Sequence, residues 1–230
     1  MSVPTDAPPP ATLEPAEVTE PLIYSIGRIF ARPWADQWFD LKAYGINNVP
    51  QRGGVLIVSN HQSYLDPILV AVKLKRPLSF LAKSELFKNP FFGAFIGSFN
   101  AFPVRQGEGD VGAVKETIRR LQEGHALNMY PEGTRSPNGE IMKMQAGIGL
   151  IAKRAGVPVV PAVIEGSFQA WPPKRGQIMF RPHPVRIVYG PPMDLRNLKA
   201  SQIVERIGTT LHTMFNDLRQ RERERNHARR

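Results

Sequence analysis

The chain has 230 residues, 42% of them apolar and 22% charged, with no cysteine and a net charge of +10. That length suits one sizeable domain with appendages, and the missing cysteine excludes disulfides, thiolate nucleophiles and thiolate metal sites. The N-terminus MSVPTDAPPP has neither the basic segment nor the apolar segment of a secretory signal, and no run of about 18 apolar residues is present to span a bilayer as a helix.

Residues 1–20 are rich in Pro, Glu and Thr, carry Asp6, Glu14, Glu17 and Glu20 and no Lys or Arg, and read as a disordered leader. Residues 21–44 differ. Leu22, Ile23, Ile26, Ile29, Phe30, Trp34, Trp38 and Phe39 recur at mostly helical spacing, with Arg28, Arg32, Asp36 and Lys42 between them. Pro33 is placed to break or kink that helix. Two readings fit: an arm packed on the domain, or an amphipathic interfacial helix with Trp and Phe at headgroup depth and cations outward.

From residue 45 onward strands and helices alternate. Val55–Ser59 is a short strand of the buried type after the Gly53-Gly54 turn, and Asp66–Leu74 is helical. Pro77–Ala82 is a second strand, Asp110–Gln122 an amphipathic helix closed by Gly124, and Ala126–Tyr130 a third strand. Ala146–Ala155 is a helix stopped by Gly156. Val157–Ile164 is an apolar strand whose two prolines suggest an irregular or edge position. Arg186–Tyr189 is a later strand, and Ser201–Leu218 a final amphipathic helix. The alternation implies an α/β domain over 45–218 with a largely parallel sheet.

Residues 219–230 hold six Arg and two Glu and read as a solvated helix end or frayed tail. The acidic leader and this basic tail cancel, so the body carries the whole excess of positive charge. A basic body suits an anionic partner: nucleic acid, an anionic lipid surface or a phosphorylated substrate.

Parallel sheets place ligands outside the carboxyl ends of their strands. Three segments follow apolar runs at such positions. The first is SNHQSYLDP, residues 59–67. Pro67 suits the first turn of a helix, capped either by Asp66 or by Ser63 one turn earlier. In both cases His61 and Asp66 lie at a helix mouth, where a folded-back carboxylate would fix the imidazole tautomer and support the imidazolium. On spacing alone, a turn with an exposed histidine is the simpler reading. The second segment is NMYPEGTRS, residues 128–136, which sets Glu132, Gly133, Thr134 and Arg135 at another strand exit. Gly133 allows close approach of backbone amides to a ligand, and Arg135 supplies a planar fork that suits phosphate. Glu132 accepts hydrogen bonds either from a ligand hydroxyl or from within its own loop. Taken alone, a surface turn accounts for it. The third is Arg105, after the Phe-rich run FFGAFIGSFNAF, which would complete a phosphate clamp with Arg135 or lie on the surface. That phenylalanine run lines an acyl tunnel or packs in the core. Trp171-Pro172-Pro173 reads as a rigid loop, with Lys174 and Arg175 beside it solvated or meeting anionic lipid. There is no GxxxxGKS loop, no GxSxG elbow and no metal-ligand cluster. The simple chemistry left is direct attack of a substrate hydroxyl on an activated acyl group, with a histidine base and no covalent enzyme intermediate.

The order NHQSYLD, PVRQG, YPEGTRS, GVPVVPAVIEGS resembles the lysophosphatidic acid acyltransferase family, the 1-acylglycerol-3-phosphate acyltransferases within the glycerolipid acyltransferases. The resemblance runs from about Gly45 to about Pro192, with the first and third blocks highly specific together. It implies an αβα sandwich, a membrane-associated enzyme, His61 and Asp66 as the catalytic pair, and Arg105, Glu132, Gly133, Thr134 and Arg135 around the glycerol-phosphate acceptor. It implies acyl-CoA or acyl-carrier protein as donor and no further cofactor. The proline block, Val157–Pro161, bears on acceptor or acyl placement. Two departures stand out. Pro103-Val104-Arg105 replaces a bulky apolar-acid-Arg pattern, and Met144-Gln145-Ala146-Gly147 stands where relatives often read Phe-Lys-Pro-Gly, with Lys143 as the nearest substitute cation.

The resulting expectation is an O-acyltransferase acting on a lysophospholipid, first lysophosphatidic acid, giving phosphatidic acid. It would sit peripherally or monotopically on a membrane, at its cytoplasmic face. The alternatives keep the site and change the acceptor to another lysolipid, an ornithine-type lipid or glycerol 3-phosphate. A non-catalytic basic protein that binds membranes or nucleic acid ranks lowest, because no interleaved aromatic-basic motif is present.

Overall fold

Val55–Ser59 alternates its side chains between two faces, and all five residues are buried, so this strand must be covered on both sides. The computed structural model, which describes residues 21–104, 110–173 and 181–228, shows how. The leader, Arg105 and the Lys174-Arg175 pair lie outside the described residues.

In chain order the elements are α1 (Leu22–Phe39), β1 (Lys42–Tyr44), β2 (Val55–Ser59), α2 (Asp66–Val72), β3 (Leu78–Lys83), α3 (Pro90–Ser98) and β4 (Ala101–Val104). There follow α4 (Val111–Gln122), β5 (Ala126–Met129), α5 (Gly147–Ala155), β6 (Val159–Glu165), α6 (Ser167–Ala170), β7 (Arg186–Tyr189) and α7 (Ala200–His227). Short 3-10 turns occupy Ile46–Asn48 and Ser84–Phe87. The strands form one sheet in the order β1-β7-β6-β2-β5-β3-β4. Five of them are parallel; β7 runs antiparallel to β6, and β1 pairs parallel to β7.

The two faces of the sheet make two cores. Val55 and Ile57 join Leu69, Val70 and Leu74 of the α2 region and Ala35 and Phe39 of α1. Leu56 and Val58 join Leu121 of α4, Ile148 and Ile151 of α5, and Ile203, Ile207, Leu211 and Phe215 of α7. The architecture is therefore the expected α/β sandwich, with α1 and α2 on one side and α4, α5 and α7 on the other.

Several expectations change. α1 continues through Pro33 rather than stopping there, and Lys42–Tyr44 is an edge strand rather than the end of the arm. β6 lies inside the sheet despite Pro161. The Pro161 carbonyl accepts from Gly190 N–H on the β7 side, so the absent proline N–H also faces that side, where β7 has already ended at Tyr189. No ladder bond toward β2 is lost. α7 runs to His227 because its charged end is paired: Arg186, only 2% exposed, meets Glu222 at 3.2 Å and Asp40 at 2.7 Å, and Arg219 meets Glu140 at 2.6 Å. The phenylalanine run divides between α3, where Phe91, Phe92 and Phe95 are exposed, and β4, where Phe102 packs in the core. Among the described residues, no helix is long and apolar enough to cross a membrane.

Candidate active site

β2 and β5 are adjacent and parallel, with Val58 opposite Met129. The chain leaving β2 at Ser59 and the chain leaving β5 at Met129 therefore emerge side by side at one edge of the sheet. The SNHQSYLDP and YPEGTRS segments meet there.

Asn60 prolongs the strand through its side chain, donating to the Ile164 carbonyl at 2.9 Å and accepting from the Ile164 N–H at 2.8 Å on β6. The backbone then turns. Asp66 opens α2 and is fully buried. Its Oδ2 accepts from the backbone N–H of Gln62 at 2.6 Å and of Ser63 at 2.7 Å, and lies 2.7 Å from Nδ1 of His61. A carboxylate in that position favours the tautomer with the proton on Nδ1, which leaves Nε2 as the acceptor. The His61 side chain keeps 17% of its surface exposed, so the ring is held and still reachable.

The second segment holds the first from behind. Glu132 is 3% exposed; its Oε1 accepts from the His61 N–H at 2.7 Å and its Oε2 from the Met142 N–H at 3.0 Å. Ser136 N–H donates to the His61 carbonyl at 2.7 Å. The backbone of His61 is thus tied on both sides to residues 132–136. Burial lifts the Glu132 carboxyl to about 7; the two amide donors pull the other way, and the Asp66 charge adds to the rise. Tyr130 stacks on His61, ring centroids 3.9 Å apart and planes 17° apart, with its hydroxyl buried beside Ser59 and Asn128.

Gly133 and Thr134 are exposed at the mouth, and Gly133 sits at φ +73°, a conformation that side chains rarely adopt. The Arg135 guanidinium lies 3.4 Å from the centroid of the Tyr64 ring, and its Nη1 is buried with no hydrogen-bond partner among the described residues. Tyr64 in turn leans on Trp171 at 5.1 Å, and Ser63 Oγ donates to the Trp171 carbonyl at 2.8 Å.

The structure accordingly brings His61, Asp66, Glu132, Gly133, Thr134 and Arg135 together. It orders Glu132 inward, onto backbone amides rather than toward a ligand. Arg105 follows directly on Val104, the last residue of β4, and lies outside the described residues. Lys143 is exposed, and Gln145 packs near Gly133. Sequence reasoning missed Tyr64, Tyr130 and Trp171. The available signal was an aromatic residue at each strand exit, Tyr130 directly before the Pro-Glu-Gly-Thr-Arg run. No group of three or more His, Asp or Glu among the described residues is arranged to hold a metal ion.

An α/β sandwich with an imidazole–carboxylate pair and a guanidinium at one strand edge is a setting for hydroxyl activation beside an anionic group. The acyltransferase family model matches residues 40–165. The chain belongs to the acyltransferase family and is an O-acyltransferase. It is 30% identical over 154 residues to the 1-acyl-sn-glycerol-3-phosphate acyltransferase of Bacillus subtilis (strain 168), covering 66% of this chain and 73% of that one. It is 28% identical to the chloroplastic LPAT1 1-acyl-sn-glycerol-3-phosphate acyltransferase of Arabidopsis thaliana over 62% of this chain, which is 42% of the plant protein. The crystal structure of the 1-acyl-sn-glycerophosphate (LPA) acyltransferase PlsC from Thermotoga maritima superposes with a TM-score of 0.72 at 26% identity, covering 85% of this chain and 79% of that one.

Proposed function

We propose that the enzyme transfers a fatty acyl group from a thioester, acyl-CoA or acyl-carrier protein, to the free hydroxyl of a lysophospholipid, first lysophosphatidic acid at its 2-position. The observation that carries the reading is the His61 Nδ1 to Asp66 Oδ2 contact of 2.7 Å, at the edge where Arg135 sits. Nε2 of His61 takes the acceptor's hydroxyl proton as its oxygen attacks the thioester carbonyl. Asp66 holds the imidazole and supports the imidazolium. As the tetrahedral intermediate collapses, the C–S bond breaks and the proton passes from His61 to the leaving thiolate. Arg135, with Arg105, binds the phosphate; Gly133 and Thr134 shape the acceptor's place, and Glu132 fixes the loop that carries His61.

The acceptor is an amphiphile, and α1 suits the surface where amphiphiles reside. Leu22, Ile23, Ile26, Ile29 and Phe30 are exposed, whereas Tyr24, Ala35 and Phe39 face the domain. The apolar stripe therefore points away from the core, as in an interfacial helix. Peripheral membrane association through α1 follows.

The sharp test is His61→Ala with retained folding. General-base help is worth about 10²- to 10⁴-fold, so kcat should fall by that range; a rate within a few-fold of wild type removes His61 from the mechanism. A panel of lysophosphatidic acid, other lysolipids, an ornithine-type lipid and glycerol 3-phosphate, assayed with one acyl-CoA, separates the acceptors. Highest kcat/KM on an acceptor without a phosphate would overturn the role given to Arg135.

A further inference from the structure

α3 is turned the wrong way round for a soluble protein. Phe91, Phe92 and Phe95 are 87%, 45% and 58% exposed, and Leu86 of the preceding 3-10 turn is 42% exposed. The helix is seated on its domain by Gly93, its one buried residue, where an added Cβ would crowd the backbone of Phe87 at 3.1 Å. A core helix would bury the rings and expose the glycine.

The rings are continuous with α1. Phe92 and Phe95 lie 6.4 Å apart, Phe95 and Phe99 5.2 Å, and Phe99 and Tyr24 of α1 6.0 Å. Gly27 of α1 makes this junction possible, because a Cβ there would collide with the Phe99 ring. α3 thus abuts α1 through Phe99, on the side of α1 that carries the buried Tyr24, and each helix keeps its own exposed apolar residues. Large exposed apolar residues on two abutting helices mark an interaction site. Its margin is net basic: Lys83 and Lys88 flank the turn between β3 and α3, which itself carries Glu85, and Arg32 lies on α1, all four exposed. The 3-10 turn leaves β3 at its carboxyl end. His61 and Glu132 leave the parallel strands β2 and β5 at the same edge.

We propose that α3 and the Ser84–Phe87 turn are a second lipid-docking element, which enters the headgroup–acyl boundary of an anionic bilayer beside α1 and so presents the site's edge to lipid. Aromatic rings bounded by lysines match that boundary, with apolar bodies inward and cations at the anionic headgroups. The inference rests on the membrane reading of α1, and goes beyond it by assigning a separate segment, far from α1 in sequence, to the same surface.

The test is flotation of the full chain with phosphatidylcholine vesicles that contain or lack phosphatidylglycerol. Phe91→Ser/Phe95→Ser, both exposed positions, should keep the fold by circular dichroism and lower partition to anionic vesicles about tenfold or more. Lys83→Gln/Lys88→Gln should abolish most of the preference for anionic over neutral vesicles. Ile29→Ser/Phe30→Ser tests α1 in parallel. Unchanged partition of the α3 variant while the α1 variant falls overturns the present inference and leaves the role of α1 standing. Unchanged partition of both overturns the membrane reading itself. If the α3 variant partitions normally but converts a lipid-free dimer to monomers on sedimentation, the face belongs to a second copy of the chain and the proposal is wrong. None of these readouts requires catalysis, so they are separate from the acyl-transfer assay.

Discussion

At the residue scale, Tyr64 holds the Arg135 guanidinium by its ring face, 3.4 Å from cation to centroid. A cation over an aromatic face is worth about 0.5–2 kcal/mol. If Arg135 binds the acceptor phosphate, Tyr64→Leu should raise the acceptor KM roughly 2- to 30-fold with kcat within about twofold, and Tyr64→Phe should behave as wild type. Steady-state kinetics at fixed acyl-CoA decide this; a fall in kcat with KM unchanged would mean that the ring serves His61 instead. Glu132 gives a different signature. Glu132→Ala leaves the part-buried amides of His61 and Met142 without their acceptors, each at a cost of up to about 1–3 kcal/mol. Thermal stability should drop, and kcat should fall more than KM rises. These two residues also mark how far a sequence can be read at this scale. His61 and Asp66 sit five positions apart, so their meeting is local; spacing alone favours an exposed histidine, and the resemblance of the NHQSYLD block is what points to the pair. The contacts of Glu132 with His61 and of Tyr130 with the same ring cross about 70 residues of chain, and only the pairing of β2 with β5 creates them.

Among the elements, the strands are held at their entry edge by one buried arginine. Arg76, between α2 and β3, donates to the carbonyls of Pro50 at 2.7 Å and Gly53 at 2.9 Å before β2, and of Gly124 at 2.8 Å before β5. Arg76→Met keeps the stem and removes all three bonds. Stability should fall by about 3 kcal/mol, read as a lower urea midpoint with unchanged slope. The kcat should remain near wild type, because His61 lies at the opposite edge. The elements that the sequence expresses best are those with buried runs: β2, β5 and β6 are mostly apolar, with Ser59, Asn128 and Glu165 at or near their carboxyl ends, because helices cover both faces of the sheet. β1 and β4 are edge strands of 3 and 4 residues, reading Lys-Ala-Tyr and Ala-Phe-Pro-Val, too short and mixed to show a period. α3 escapes notice because its phenylalanines face outward, so its pattern does not report a core. The last turns of α7 lack apolar periodicity and are carried by pairs such as Gln220 with Glu224 and Arg225 with Glu222.

Over the whole molecule the two layers meet at the site through α7 and the loops it braces. Arg219 of α7 reaches Glu140, the Gly139 carbonyl and Glu165, and the Gly139 carbonyl also accepts from the side chain of Gln62, next to His61. The loop that carries His61 is therefore packed into the global fold, and a buried titratable group that holds it should register in global stability. Glu132 is that group. Its carboxyl stands near 7 in the folded protein against an ordinary value of 4.5. Below about pH 4.5 both folded and unfolded chains are protonated there, and the folded state gains its full preference for the neutral form. Between 4.5 and 7 the unfolded chain has released a proton that the folded one retains, so stability falls as pH rises through that window and levels off above it. A shift of this size corresponds to on the order of 3 kcal/mol across the window. Glu132→Gln removes the titration while keeping the shape. Denaturation measured for both proteins at half-unit steps should show the variant gaining on wild type from pH 4.5 to 7, with a constant difference above. Parallel curves across that range would mean that Glu132 is ionised in the fold well below neutrality, with its two backbone amides outweighing the burial of its charge.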